Sequence, residues 1–118
     1  MTAKRKDNHS TEFGLWLREQ SEIDSGLGYL ATNLDFIWRN YKTGYWLMIE
    51  EKRYRAVMKR WQKDIFRMLH EAAKNDKNYK GFYLIQFEKT SPEDGAIWIN
   101  NKESSKRELL DLLTFKKF

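Results

Sequence analysis

Residues 34–52 read Leu-Asp-Phe-Ile-Trp-Arg-Asn-Tyr-Lys-Thr-Gly-Tyr-Trp-Leu-Met-Ile-Glu-Glu-Lys, and this stretch carries the clearest structural signal in the chain. Its two ends, Leu34 to Arg39 and Tyr45 to Glu51, are rich in residues that favour β-strands. The segment between them, residues 40–44, has the polar side chains and late glycine of a hairpin connection. The stretch therefore predicts a two-stranded antiparallel hairpin.

The register of this hairpin decides which side chains share a face. Symmetric closure about residues 42 and 43 places Ile37 opposite Met48. The same closure places Asp35 opposite Glu50, and strand alternation puts Lys52 on the face of Glu50. Two acids and one lysine are thus expected on one patch, although a shift of one residue in the register would separate them.

The rest of the chain supplies helices and a second hairpin. A helix is predicted from Thr11 to Gln20, capped by Ser10 or Thr11, before a turn region at 21–28. A longer helix is predicted from Arg55 to Asn75. Further predicted elements are a strand at 82–87, a turn at 91–95, a strand at 96–100 and a helix at 105–113. The order α-β-β-α-β-β-α predicts a single α+β domain over residues 11–118, preceded by a flexible basic arm at residues 1–10.

Composition narrows the chemistry that this domain can carry. The chain has 118 residues, which suits one domain, and 22 basic against 17 acidic residues give it a net charge of +5. It has no cysteine, which excludes disulfides and thiolate zinc sites, and its two histidines, His9 and His70, are too far apart for a local metal motif. A metal would therefore be held by carboxylates, which favour Mg²⁺ or Mn²⁺.

The sequence also bears on location. No apolar run approaches the roughly 20 residues that span a bilayer, so no membrane association is expected. No apolar stretch follows the basic residues at the N-terminus, as it would in a secretion signal. We therefore expect a cytoplasmic protein.

The acid pair in the hairpin suggests metal chemistry. Two adjacent carboxylates repel each other unless a cation neutralises them, and a divalent cation bound there can polarise a phosphoryl oxygen and activate water. An ammonium group such as that of Lys52 could orient the attacking water or stabilise charge in the transition state. The alternative is that Glu50, Glu51 and Lys52 only mark a strand that leaves the core for solvent.

Asp35, followed after a hairpin by Ile49-Glu50-Glu51-Lys52, resembles the motif of the PD-(D/E)XK nuclease superfamily, which has an acid on one strand and E-x-K on the next. Leu34 stands before the acid, where no proline is present. The resemblance covers roughly residues 11–89 and points to small phage-type or resolvase-like members. It implies a restriction-endonuclease-like core, with a mixed central β-sheet and flanking helices, and it would fit a phage-encoded protein.

The resemblance also implies roles for individual residues. Asp35 and Glu50 would bind Mg²⁺ (or Mn²⁺) with the backbone carbonyl of Glu51, and Lys52 would position the nucleophilic water. An acid on the first helix would complete the metal site; Glu12 is favoured and Glu19 is the reserve, and either could equally be a solvated helix residue.

The helix after the E-x-K motif adds a further likeness. Gln62 with Phe66 four residues later is similar to the Gln-x-x-x-Tyr element of RecB-like nucleases, with Phe in place of Tyr. The alternative for Gln62 is an ordinary surface glutamine.

Substrate contacts are expected from the densest basic region of the chain. The candidates for nucleic-acid binding are Arg53, Arg55, Lys59, Arg60, Lys63 and the exposed-loop aromatic Tyr41. The alternatives are a solvated helix face for the basic residues and packing contacts for the aromatic one. The five tryptophans, Trp16, Trp38, Trp46, Trp61 and Trp98, are predicted to lie in the core.

The sequence thus leads to a metal-dependent nuclease acting on duplex or branched DNA. A rival interpretation is a non-catalytic nucleic-acid-binding or protein-interaction module on the same fold, and a third is a structural subunit. Because two-fold DNA is often met by two-fold protein, a homodimer is also considered, through the sheet edge or the leucine-rich C-terminal helix.

Overall fold

The structure, a computed structural model, describes residues 11–118. The predicted basic arm at residues 1–10 lies outside the described residues. The chain divides into two units, Met1–Thr32 and Asn33–Phe118. Within residues 11–118, no helix combines the length and apolar character needed to cross a membrane.

The described part of the N-terminal unit is a short helix followed by two turns. Helix α1 (Glu12–Glu19) begins at Thr11, whose hydroxyl accepts a hydrogen bond from the Gly14 N–H at 3.0 Å. This confirms one of the two predicted caps. Two single turns of 3₁₀ helix follow, Ser21–Ile23 and Ser25–Leu27, in the region predicted as turn.

The second unit is a five-stranded mixed sheet with two helices, so the α+β class is confirmed. Its elements are β1 (Phe36–Arg39), β2 (Trp46–Lys52), α2 (Arg60–Ala73), β3 (Tyr79–Phe87), β4 (Ile97–Ile99), β5 (Lys102–Ser104) and α3 (Lys106–Leu113). The strands lie in the order β1-β2-β3-β4-β5. Only β2 and β3, which α2 connects, are parallel; the other neighbours are antiparallel.

The hairpin register is the predicted one. Ile37 pairs with Met48, and Arg39 pairs with Trp46, across an antiparallel ladder. Asn40 holds the turn, because its side-chain oxygen accepts hydrogen bonds from the backbone N–H groups of Lys42 and Thr43. In addition, the Gly44 N–H donates to the Asn40 carbonyl. Gly44 has φ +79, a left-handed conformation that glycine adopts without strain.

The two faces of the sheet are covered differently. Alternate residues such as Leu47, Ile49 and Ile85 form the main core with α3 and the C-terminal Phe115. The opposite face carries α2, whose Phe66 stacks on Phe82 with ring centroids 4.9 Å apart. Since the face of a strand residue is fixed by its parity, Glu50 and Lys52 lie on the α2 face.

Four details of the sequence prediction are corrected. The structure adds β5, so the sheet has one strand more than the order α-β-β-α-β-β-α contains. Strand β3 begins at Tyr79 and passes through Gly81, where φ is +117 and the pairing with β2 is irregular. Helix α2 begins at Arg60 rather than Arg55, because Tyr54 and Arg55 are left-handed within a single 3₁₀ turn (Arg53–Arg55) and the backbone is extended at Ala56 and Lys59.

The fourth correction concerns the tryptophans. Trp16, Trp38 and Trp61 are exposed, with 52%, 44% and 37% of their surface accessible, while the other two are only half-buried. Trp38 keeps its indole N–H satisfied by donating to the Leu113 carbonyl at 2.8 Å. The core is built instead from smaller side chains, Leu47 and Ile97 being the most fully buried.

Candidate metal centre

Glu50 is a buried carboxylate in the middle of the sheet. Only 3% of its surface is accessible, and its Oε1 atom is buried with no hydrogen-bond partner among the described residues. Burial first, and then the adjacent Asp35 carboxyl, raise the pKa of Glu50 to about 7 against the opposing effect of Lys52. A carboxyl group in this position is stable only if it is protonated or if a cation lies close to it.

Asp35 lies next to Glu50 at the point where β1 begins. Its Oδ2 atom accepts a hydrogen bond from the backbone N–H of Glu51 at 2.8 Å. The backbone ladder of the hairpin ends at the pairing of Phe36 with Ile49, so the Asp35 side chain continues it by one more hydrogen bond. This bond holds the exposed Asp35 carboxylate at the end of β1.

Lys52 connects the acid pair to α2. Its Nζ lies 3.4 Å from Glu50 Oε2 and donates a hydrogen bond to Gln62 Oε1 at 3.2 Å. The side chain is 19% exposed, so it is largely shielded from solvent. Gln62 Oε1 also accepts from the backbone N–H of Lys59 at 3.0 Å, which fixes the amide at the start of the helix.

The orientation of α2 explains why Gln62 faces this group. Gln62, Phe66 and His70 follow at four-residue spacing, and they form the row of α2 that meets the sheet. Phe66 is 2% exposed, and His70 Nδ1 lies 2.8 Å from the Tyr79 hydroxyl. Gln62 is half-buried and its Oε1 accepts a hydrogen bond from Lys52, while its predicted role in the reaction stays a prediction.

One further residue of this face, Gln86, was not found from the sequence. Gln86 pairs with Lys52 across the sheet and is 3% exposed, and its amide donates to the Ala56 carbonyl at 2.8 Å. Trp98 pairs with Gln86 on the next strand. The available signal was a single glutamine inside the apolar run 82–87. This hydrogen bond holds the segment that follows Lys52 against the sheet.

Glu51 has the opposite orientation to its neighbours. Its side chain is on the other face and lies 3.9 Å from the Arg53 guanidinium. Its backbone N–H is turned toward β1, where Asp35 accepts it. The carbonyl of a strand residue projects to the same side as its N–H, so the Glu51 carbonyl is also directed toward β1, and its role as a metal ligand stays a prediction.

Glu12, the predicted third acid, belongs to the N-terminal unit. It occupies the first turn of α1, where an acid favours the helix dipole. In residues 11–118, no three His, Asp or Glu side chains form a group that could hold a metal. The structure thus places Asp35 and Glu50 together, and the role of Glu12 stays a prediction, as does that of its reserve, Glu19.

The predicted nucleic-acid contacts are all exposed. Arg53 and Arg55 are in the turn after β2, Lys59 caps α2, Arg60 and Lys63 are in its first turns, and Tyr41 is at the tip of the hairpin. The Arg55 guanidinium covers the Trp98 ring at 4.1 Å from its centroid. Most of these cations therefore border the end of β2 that carries Lys52.

The arrangement brings two carboxylates, those of Asp35 and Glu50, together with the Lys52 ammonium at one end of the hairpin. Comparison of the chain with protein families, curated proteins and solved structures finds no match.

Proposed function

We propose that this protein is a metal-dependent nuclease that hydrolyses phosphodiester bonds in DNA, with Mg²⁺ or Mn²⁺ as its metal ion. The observation that carries the proposal is the buried Glu50 carboxylate, whose Oε1 has no hydrogen-bond partner within residues 11–118, while Asp35 adjoins it and Lys52 lies 3.4 Å from its other oxygen. A buried acid placed beside a second acid lowers stability, which favours a functional reason for its presence.

The donor set fits a hard cation. Asp35 and Glu50 would supply carboxylate oxygens, and the carbonyl of Glu51 a neutral one, all of which Mg²⁺ and Mn²⁺ accept. When bound, such an ion polarises a phosphoryl oxygen and lowers the pKa of a coordinated water. Water molecules and substrate phosphate would supply the remaining ligands, as is usual for Mg²⁺.

Lys52 would act on the attacking water and on the negative charge that develops on the phosphate in the transition state. Its ammonium is held by Gln62 on one side and Glu50 on the other, so its position is set before substrate arrives. A hydrogen bond from Lys52 would orient the water, and its positive charge would stabilise the phosphorane-like transition state. Gln62 acts through Lys52 and is a positioning residue.

The order of elements around the acid pair supports a restriction-endonuclease-like arrangement. The acid precedes β1, the E-x-K sequence ends β2, α2 follows, and β3 returns parallel to β2. Exposed basic side chains near Lys52, including Lys59 and Lys63, could neutralise DNA phosphates beside the metal.

A second candidate is a non-catalytic nucleic-acid-binding module on the same fold. It is favoured by the observation that only two acidic side chains meet in the described part of the chain, short of a complete metal-binding group. Such a module would keep the exposed basic residues and need no ion.

A cleavage assay with matched variants tests the proposal. Labelled linear, branched and single-stranded DNA would be incubated with the wild-type protein and Mg²⁺, Mn²⁺ or EDTA. Glu50→Gln removes the buried carboxylate, and Glu51→Gln is the matched control, because its side chain is on the opposite face while its carbonyl is unchanged.

The proposal requires metal-dependent cleavage that Glu50→Gln abolishes and Glu51→Gln retains. DNA binding without cleavage at any metal concentration would favour the non-catalytic module. If a folded wild-type protein neither binds nor cleaves any of these substrates, both candidates are wrong.

A further inference from the structure

Among the residues that the structure describes, strand β1 has a neighbour on only one of its two edges. It is the first strand in the sheet order, and in the described part of the chain it pairs only with β2. All four of its residues are exposed, including Phe36 at 50%, Ile37 at 67% and Trp38 at 44%. An exposed apolar edge strand is a template for pairing with another chain.

The hydrogen bonds of the hairpin show which residues face that free edge. The Asn40 N–H donates to the Tyr45 carbonyl across the hairpin at 2.9 Å, so even-numbered residues of β1 direct their backbone groups toward β2. The intervening residues Ile37 and Arg39 direct theirs outward. Asp35, just before the strand, has the same parity.

We propose that this edge pairs with the same edge of a second copy, antiparallel and about a two-fold axis at Ile37. In that register Ile37 faces Ile37 of the other copy, and Asp35 faces Arg39 of the other copy twice. Each of these pairs joins residues whose backbone groups face outward, so all of them can exchange ladder hydrogen bonds. The two five-stranded sheets then form one continuous sheet.

Charge selects this register over its neighbours. A shift by one pairing step in either direction moves Arg39 away from Asp35 and leaves both charges opposite uncharged residues. In the described part of the chain neither side chain has an ion-pair partner of its own: the Asp35 Oδ2 accepts a hydrogen bond from the Glu51 N–H at 2.8 Å, and the Arg39 guanidinium lies over the Tyr41 ring, 5.0 Å from its centroid. Opposite charges directly across antiparallel strands stabilise the pairing.

The side chains on the other face also suit self-association. The two-fold axis places Phe36 opposite Trp38 of the second copy, and aromatic pairs are favourable in this position. Phe36 and Trp38 together form an apolar, self-complementary surface, as a two-fold interface requires. A second copy is therefore the occupant that the edge fits, and the short strand makes it a reversible dimer.

Cysteine cross-linking tests the register directly, because the chain has no cysteine of its own. Ile37→Cys places its thiol on the two-fold axis, at a separation that a disulfide can span. Met68→Cys, at 62% exposure on α2, is the control for random collisions, and Phe36→Cys is the control for register. Oxidation in EDTA makes the result independent of the proposed nuclease activity.

We expect Ile37→Cys to form disulfide-linked dimers at least about tenfold faster than either control, because pairing raises the local thiol concentration. Light scattering of the wild type should approach twice 14.3 kDa as concentration rises, and Ile37→Lys should stay at 14.3 kDa with an unchanged circular dichroism spectrum. A wild type that stays monomeric, or cross-linking no faster at 37 than at 68, would overturn the proposal. Faster cross-linking at 36 than at 37 would overturn the register.

Discussion

The Asp35 carboxylate accepts a hydrogen bond from the Glu51 backbone N–H at 2.8 Å, one step beyond the last backbone pair of the hairpin. This side chain takes the place of the Leu34 carbonyl, which would accept from the Glu51 N–H if the ladder continued in the same register. The replacement ends the strand and at the same time holds a carboxylate against the buried Glu50. One local hydrogen bond therefore creates the acid pair.

Replacing Glu50 by glutamine should stabilise the protein at neutral and alkaline pH. The pKa of Glu50 rises from 4.5 to about 7 on folding, so the folded state holds this proton more tightly than the unfolded state. The free energy of unfolding therefore falls as pH rises through this window, by up to about 3 kcal/mol. Glu50→Gln should recover up to that amount at about pH 8 and little at about pH 4.

Urea unfolding at the two pH values measures the effect. Glu51→Gln is the control, since its carboxylate is on the opposite face beside Arg53. An equal change in stability at both pH values would contradict the assignment of the raised pKa to Glu50.

Metal binding should also depend on the Glu50 proton. A cation must displace that proton, so we expect the Mn²⁺ binding constant to rise about tenfold per pH unit below a pKa near 7 and to level off above it. Calorimetric titration with Mn²⁺ measures this dependence. Binding that is independent of pH, or unchanged in Glu50→Gln, would show that the ion is held elsewhere.

Removing the ammonium of Lys52 should separate chemistry from metal binding. We expect Lys52→Ala to slow cleavage by about a hundredfold or more, because the group that orients water and offsets charge is lost. Its affinity for Mn²⁺ should not fall, since no ligand is removed and a neighbouring positive charge is gone. Single-turnover cleavage and Mn²⁺ titration of the same sample supply both readouts.

Gln62→Leu is the companion variant for Lys52. It removes the acceptor of the Lys52 hydrogen bond but leaves the ammonium in place. A smaller loss than in Lys52→Ala, of about tenfold, is expected for a positioning residue. A loss as large as that of Lys52→Ala would assign Gln62 a direct role in the reaction.

Gln86→Leu should loosen the turn after Lys52. The substitution removes the donor to the Ala56 carbonyl, and the net contribution of such a hydrogen bond is about 0.5–1.5 kcal/mol. We expect that loss in urea unfolding, together with faster amide exchange of Tyr54, whose N–H donates to the Lys89 carbonyl in the same turn. Unchanged stability would show that the turn is held by other contacts.

The hairpin could be predicted because the residues that determine it are close together in the sequence. The turn residues and the alternation of the two strands fix the register, so the face shared by Glu50 and Lys52 followed from arithmetic. The pairing of Gln86 with Lys52 could not be derived in this way, because β3 reaches β2 only after the whole of α2, and sequence spacing sets no register for a parallel pair.

Strand β5 escaped prediction for a different reason. Its turn consists of Asn100 and Asn101, with φ values of +49 and +69, and the strand itself is only three polar residues long. Two asparagines can adopt this conformation, but without glycine the signal is weak. Helix α2 was misplaced at its start because Tyr54 and Arg55 are left-handed, which no property of these residue types indicates.

The alternation along β2 has a consequence for how the protein can change by mutation. Leu47 and Ile49 are in the core with α3, whereas Glu50 and Lys52 face α2. Residues of the main core and residues of the proposed active site therefore alternate along one strand. A scan of all substitutions in β2 would show loss of the proposed activity concentrated at Glu50 and Lys52, and changes in stability at Glu50 as well as at the core positions.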